Sequence, residues 1–285
     1  MSIAKAFSKK KVGEKRDSKL AHLFLILIAL FQIAPLLIML LNSFRTDKAI
    51  KTLPVSLPES FEWQNYVNAW IKGGYTSAYI NSICIGIVVA LAVLLLGGLS
   101  AYAMAKLPLP KKEFFIGYFT MAMAIPGFLC MVPVYFVMAR IGLANSQFGI
   151  ALIYIAMFMP LQTMMMRTYL IGIPRELEEA GKIDGCSEFG VFLRITLPLA
   201  KPIIMTVALL VFANSWNEFT WANIFLTSDE VRTVSTRFYN FVSEHTDDAA
   251  LVYTSGVISI APIAILYLVL QDNFIEGITA GGIKG

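Results

Sequence analysis

The sequence predicts an all-α membrane protein, a bundle of six transmembrane helices, and three observations carry that expectation. Of 285 residues, 57% are hydrophobic and 15% charged, whereas soluble domains carry roughly a quarter of their residues as charges. Six apolar runs, 20–41, 80–104, 114–138, 148–166, 202–222 and 252–271, match the ~20 residues that a helix needs to cross about 30 Å of hydrocarbon. Between the fourth and fifth runs stands a charged island, 176–202, too polar for the membrane core.

The first run follows a basic segment and is followed by no A-x-A-like small-residue site, so it reads as a retained span rather than a cleaved signal. The segment 42–76 holds Pro54, Pro58 and Trp63-Gln64-Asn65-Tyr66. It reads as a turn and a short amphipathic helix that either rests on the membrane surface or meets an external partner. In the second run Gly97, Ala101 and Ala105 recur every four residues, the spacing that lets helix backbones approach closely. Pro126, Pro133, Pro160 and Pro262 lie inside apolar runs and predict kinks, each removing a backbone hydrogen bond.

The fifth run ends in Asn214-Ser215-Trp216-Asn217-Glu218-Phe219-Thr220-Trp221. Asn214, Asn217 and Glu218 fall at i, i+3 and i+4, one face of a continuing helix. Polar groups at membrane depth face a bundle interior or a water-filled cavity, so these three either line a solute path or hydrogen-bond across a dimer. The segment 227–250 carries Asp229, Glu230, Glu244, Asp247, Asp248 and His245, a solvated acidic loop or a docking place for an external protein.

The island reads as two short helices and a turn. Pro174 suits a first helical turn, and Glu176, Glu178 and Glu179 complement the positive end of the helix dipole. Gly185 suits a left-handed residue that stops the helix. Ser187 can cap a second helix carrying Phe189, Phe192 and Ile195, which Pro198 is expected to end. Leu177, Ala180, Gly181 and Asp184 share one small, nearly flat face of the first helix, suited to docking.

Charge and cysteine usage narrow the function classes. The net charge of +4 comes largely from the first 20 residues, beside a membrane span, so topology accounts for it and nucleic acid is not a partner. With the N-terminus inside, sixteen of the 23 Lys and Arg residues fall in cytoplasmic segments and seven outside. That asymmetry puts both termini and the island on the cytoplasmic side. Cys84, Cys130 and Cys186 form no CxxC and have no nearby His. They read as buried packing residues, with neither a metal site nor a disulfide framework. Two distant histidines, His22 and His245, leave no converging set for a membrane enzyme.

The order Glu179-Ala180-Gly181, three residues, Gly185, nine residues, Ile195-x-Leu197-Pro198 resembles the E-A-A-x3-G-x9-I-x-L-P signature of the membrane-spanning subunits of bacterial binding-protein-dependent ABC importers. Glu178 and Asp184 beside it resemble the carbohydrate, maltose-type branch, as do Asn81-Ser82, Ala101 to Lys106, and Trp216-Asn217-Glu218-Phe219. Gly181 departs from the usual Ala, at about 1 kcal/mol of helix propensity.

The resemblance implies a six-transmembrane-helix permease bundle with a cytoplasmic coupling helix. Its parts would be a basic N-terminus (1–19), a permease domain (20–272, coupling loop 172–200) and a short cytoplasmic tail (273–285). It implies that Glu179, Ala180, Gly181, Asp184, Gly185, Ile195, Leu197 and Pro198 couple to an ATPase, and that the chain translocates a sugar or oligosaccharide. The implied partners are a second homologous permease, two ATPase subunits, an extracytoplasmic solute-binding protein and membrane lipid. No G-x4-G-K-[ST] loop occurs in the sequence, so the chain is expected to be a transport subunit without cofactor of its own, ATP and Mg being bound by the ATPase. An importer of another solute remains open, as does an ion-coupled secondary transporter, which carries its own coupling groups at mid-membrane.

Overall fold

A computed structural model of the chain describes the backbone over residues 18–282 and side chains over 20–271. Most of the basic N-terminal segment and the side chains of the Gly-rich tail lie outside the described residues. Regular structure among the described residues is helical. α1 (Ser18–Asn42) leads to two short helices, α2 (Asp47–Thr52) and α3 (Gln64–Lys72). α4 (Tyr75–Lys106) is continuous through a π turn at Val93–Gly97. α5 (Lys112–Ala124), α6 (Gly127–Arg140) and α7 (Gln147–Ile171) follow. The island forms α8 (Arg175–Ile183) and α9 (Glu188–Leu199), the latter with a π turn at Phe192–Thr196. The chain closes with α10 (Lys201–Asn217), α11 (Thr220–Phe225), α12 (Val234–Glu244) and α13 (Ala249–Gly282).

Among the described residues α1, α4, α7 and α13 are each long and apolar enough to cross a membrane, and the number is six if each of two bent pairs, α5 with α6 and α9 with α10, counts as one span. α4, α7, α10 and α13 form the centre. One apolar core joins α4, α7, α10 and α11 around Val89, Ile150, Tyr154, Val207 and Trp221, and a second joins α3, α4, α10, α12 and α13 around Tyr75, Trp216 and Phe241. The small-residue row of the second run works as expected: Gly97, Ala101 and Ala105 are buried, and a Cβ at Gly97 would stand 2.7 Å from Thr163 Oγ1 on α7.

The helix boundaries and cysteines depart from the sequence reading in four places. The third apolar run is not one helix; α5 and α6 meet at 95°. Pro126 lacks an N–H and drives Ile125 out of the helical region, to ψ 118°. Pro198 does not end its helix, which continues to Leu199 before a 74° bend into α10. The Leu197 N–H there reaches back five residues to the Phe192 carbonyl, and that widened turn accommodates the proline ring. The segment 227–250 contains a helix, α12, rather than only loop. The cysteines are not buried: Cys84 is exposed on the outer face of α4, and Cys130 and Cys186 are half-buried.

Candidate functional site

α8 starts after Pro174, which takes the extended cap position (ψ 135°) one residue before the helix, and its first turn carries Glu176 and Glu178. It ends in a Schellman arrangement. Gly185 has φ +86°, its N–H donates to the Lys182 carbonyl at 3.0 Å, and the Cys186 N–H donates to the Gly181 carbonyl at 2.9 Å. Ser187 caps α9, its hydroxyl accepting from the Gly190 N–H at 3.2 Å. Lys182 pairs with Glu188 across the turn, and that bond holds the Lys182 ammonium above its usual pKa.

The faces of α8 divide differently from expectation. Leu177, Glu179, Ala180 and Asp184 are exposed, but Gly181 is buried and turned inward. A Cβ there would stand 2.2 Å from Ile195 Cδ1. Gly181 therefore seats α8 on α9 and is not part of the outward face. Ile195 is half-buried under it, and Leu197 and Pro198 are exposed farther along α9.

Glu178 and Lys106 were not singled out in the sequence as a pair. Lys106 Nζ, at the end of α4, lies 3.1 Å from Glu178 Oε1 and donates to the Ile173 carbonyl at 2.7 Å. The Thr196 hydroxyl donates to the same Glu178 oxygen at 3.3 Å. Each charge alone flanks an apolar run, which gives no sign of a partner.

At the end of α10 the three residues expected on one face separate. Asn214 and Asn217 are exposed on the helix, with Ser215 and Trp216 buried between them. Glu218 is not helical (ψ 118°). Its carboxylate accepts from the Trp221 N–H at 2.9 Å, the Ala222 N–H at 3.0 Å and the Tyr154 hydroxyl at 2.7 Å. It caps α11 and fastens it to α7, so all three donors are protein groups.

The chain matches the model of the binding-protein-dependent transport system inner membrane component family over residues 93–279, from the π turn of α4 into α13. It belongs to that family. This inner membrane component is 34% identical over 274 residues to a probable ABC transporter permease protein, YurM, of Bacillus subtilis, covering 96% of this chain and 90% of the relative. It is 32% identical over 262 residues to the arabinooligosaccharides transport system permease protein AraQ of Halalkalibacterium halodurans, covering 90% and 93%. Its fold is similar to a chain in the crystal structure of a bacterial ABC transporter involved in the import of the acidic polysaccharide alginate, with a TM-score of 0.75, 23% identity and coverage of 90% and 95%. The chain is thus a multi-pass inner membrane transport subunit.

The end of the inner membrane component that carries α2, α3 and α12 is held by polar groups. Asn81 Nδ2 donates to the Glu230 and Arg232 carbonyls at 2.8 and 2.9 Å, and the Ser82 hydroxyl accepts from the Val234 N–H at 2.9 Å. Asp229, in the segment read as a solvated acidic loop or a docking place, pairs with Arg237 at 3.1 Å. On the other flank, Asp47 Oδ1 accepts from the Ala249 N–H at 2.8 Å and Oδ2 lies 2.7 Å from Lys51 Nζ. The Lys51 hydrogen bond holds the Asp47 carboxyl below its usual value; burial opposes it, and the Ala249 N–H adds a smaller lowering.

Proposed function

We propose that this chain is the permease subunit of an ATP-driven importer of a sugar or oligosaccharide. It pairs with a second homologous permease, the pair binds two ATPase subunits, and this chain docks one of them through the exposed face of α8, formed by Leu177, Glu179, Ala180 and Asp184. ATP and Mg belong to the ATPase. An extracytoplasmic binding protein delivers solute at the outer end, and both termini face the cytoplasm. The observation that carries the reading is α8 itself, a short helix closed by a Schellman turn, separate from the long apolar helices, with an exposed acidic face. A compact, well-packed element of that kind transmits displacement. The oligosaccharide named for the AraQ relative supports the solute class. So does Glu218, whose carboxylate is engaged by three protein donors and leaves a poor cation site for a charged solute. The exposed Asn214 and Asn217 either line the path or meet the second permease.

The test is co-purification and uptake. The wild-type chain is expected to bring an ATPase with it and to give ATP-dependent uptake of a labelled neutral oligosaccharide in proteoliposomes. Gly185→Val, which forces a branched side chain into left-handed backbone, should insert normally yet lose ATPase association, as should Glu179→Lys. Uptake driven by an ion gradient with no ATPase present would replace this reading with the secondary-transporter one.

A further inference from the structure

Besides the turn at Gly185 that joins it to α9, displacement imposed on α8 can leave it by three routes. One is covalent, through Gly172 to Pro174 into α7. A second is packing, through Gly181 on Ile195 into α9. The third is the ion pair into α4. Resting on the importer reading above, we propose that Lys106 and Glu178 form a strut that makes the second transmembrane helix move with the coupling helix, so that both are positioning residues for transport.

The geometry favours a strut over a surface contact. The two side chains are 2% and 10% exposed, and the pair gathers four elements at one point. Lys106 brings the end of α4, its bond to the Ile173 carbonyl adds the α7–α8 joint, Glu178 adds α8, and the Thr196 hydroxyl adds the π turn of α9. Pulling such a pair apart leaves a charge without compensation in a low-dielectric setting, whereas an apolar contact can slide without that cost. The elements it joins therefore shift together.

Farther along α4 there is a place for the movement to be taken up. The π turn Val93–Gly97 is a local change in helical winding. It faces the π turn of α9 across an apolar cavity of about 330 Å³ lined by Leu94, Leu95, Phe192 and Leu193. α4 can thus be driven at its cytoplasmic end and yield at mid-length, against a gap that leaves the two turns room.

The test uses the whole transporter in proteoliposomes, reading the ratio of solute-stimulated to basal ATP hydrolysis together with uptake. The doubly neutral variant Lys106→Met with Glu178→Gln avoids a stranded charge. It is expected to assemble with the ATPase and keep basal hydrolysis, while stimulation and uptake fall by roughly ten-fold, within the range of ordinary inter-site coupling. Lys106→Arg, which keeps the charge and the donors, should stay coupled. Should the neutral pair fail to assemble, Glu178→Asp decides. Its carboxylate is withdrawn by one methylene, so coupling should fall between wild type and the neutral pair, with the ATPase still bound. Wild-type coupling in the neutral pair, or in Glu178→Asp, overturns the strut. So does a loss of transport that merely tracks a loss of bound ATPase. A wild-type chain without ATP-dependent uptake overturns the importer reading and the strut with it, and is distinguished by appearing before any substitution is made.

Discussion

Lys106 and Glu178 approach to 3.1 Å at a point where α4, α8 and α9 converge, and both side chains are nearly sealed from solvent. Lys106→Met alone leaves the Glu178 carboxylate buried with the Thr196 hydroxyl, and should destabilise the detergent-solubilised protein by about 3–5 kcal/mol. Removing both charges should cost less than the Lys106→Met single change. Thermal unfolding of the two singles and the double forms the cycle. Additive losses would mean that the charges do not stabilise each other.

Glu218→Gln replaces an acceptor oxygen by an amide that can only donate, while the Tyr154 hydroxyl and the Trp221 and Ala222 N–H groups all point at that carboxylate. The expected loss is about 1–3 kcal/mol, accompanied by faster hydrogen exchange across α11. Asn217→Leu, on an exposed position of α10, should change stability by no more than about 0.5 kcal/mol. Equal exchange rates in Glu218→Gln and wild type would refute the capping role.

Gly181→Ala sets two effects against each other. Helix propensity favours alanine by about 1 kcal/mol, but its Cβ would meet Ile195 Cδ1 at 2.2 Å and force that side chain to move. Removing the obstructing methyl with Ile195→Val should release the gain, since the next atoms, Val191 Cγ2 and Ile195 Cγ1, stand at 3.6 and 3.7 Å. Gly181→Ala is therefore expected to be more stabilising in the Ile195→Val background than in wild type. Equal effects in the two backgrounds would show that Ile195 is no obstacle.

The Asp47 link to Lys51 and Ala249 should be visible in a pH titration. Its pKa lies below the usual 3.8 when folded, so its contribution is fully present above that value and disappears as pH falls through the lowered one. The stability difference between wild type and Asp47→Asn should be constant near neutral pH and shrink at acid pH. A difference that grew on acidification would reverse the sign of the linkage.

The long apolar runs were legible because membrane thickness fixes helix length, and the α8–α9 turn because Gly185 and Ser187 meet local demands of backbone geometry and capping. Helical periodicity failed at Glu218 because the carboxylate itself competes for the N–H groups of Trp221 and Ala222 and opens the helix at its own position. Pro126 announced a kink, but the 95° bend also depends on how α5 and α6 pack, which residue type does not encode. The inward turn of Gly181 depends on Ile195, and the Lys106–Glu178 pair on residues far apart in sequence. Both are properties of the assembled loop.

α1 carries a consequence for biosynthesis. It is exposed along residues 20–37 and packs on α13, the last helix; Ser43 receives the Thr254 hydroxyl at 3.1 Å across 211 residues. At synthesis rates of roughly 5–20 residues per second, that stretch takes on the order of ten to forty seconds to emerge. For that interval the first helix lies in the bilayer before its companion in the same chain has been made. Its apolar character over most of its surface, Gln32 excepted, suits the wait, since lipid can solvate the rest. A ribosome stalled before residue 249 would leave a nascent chain whose first and later helices remain unjoined, a species for membrane quality control to recognise.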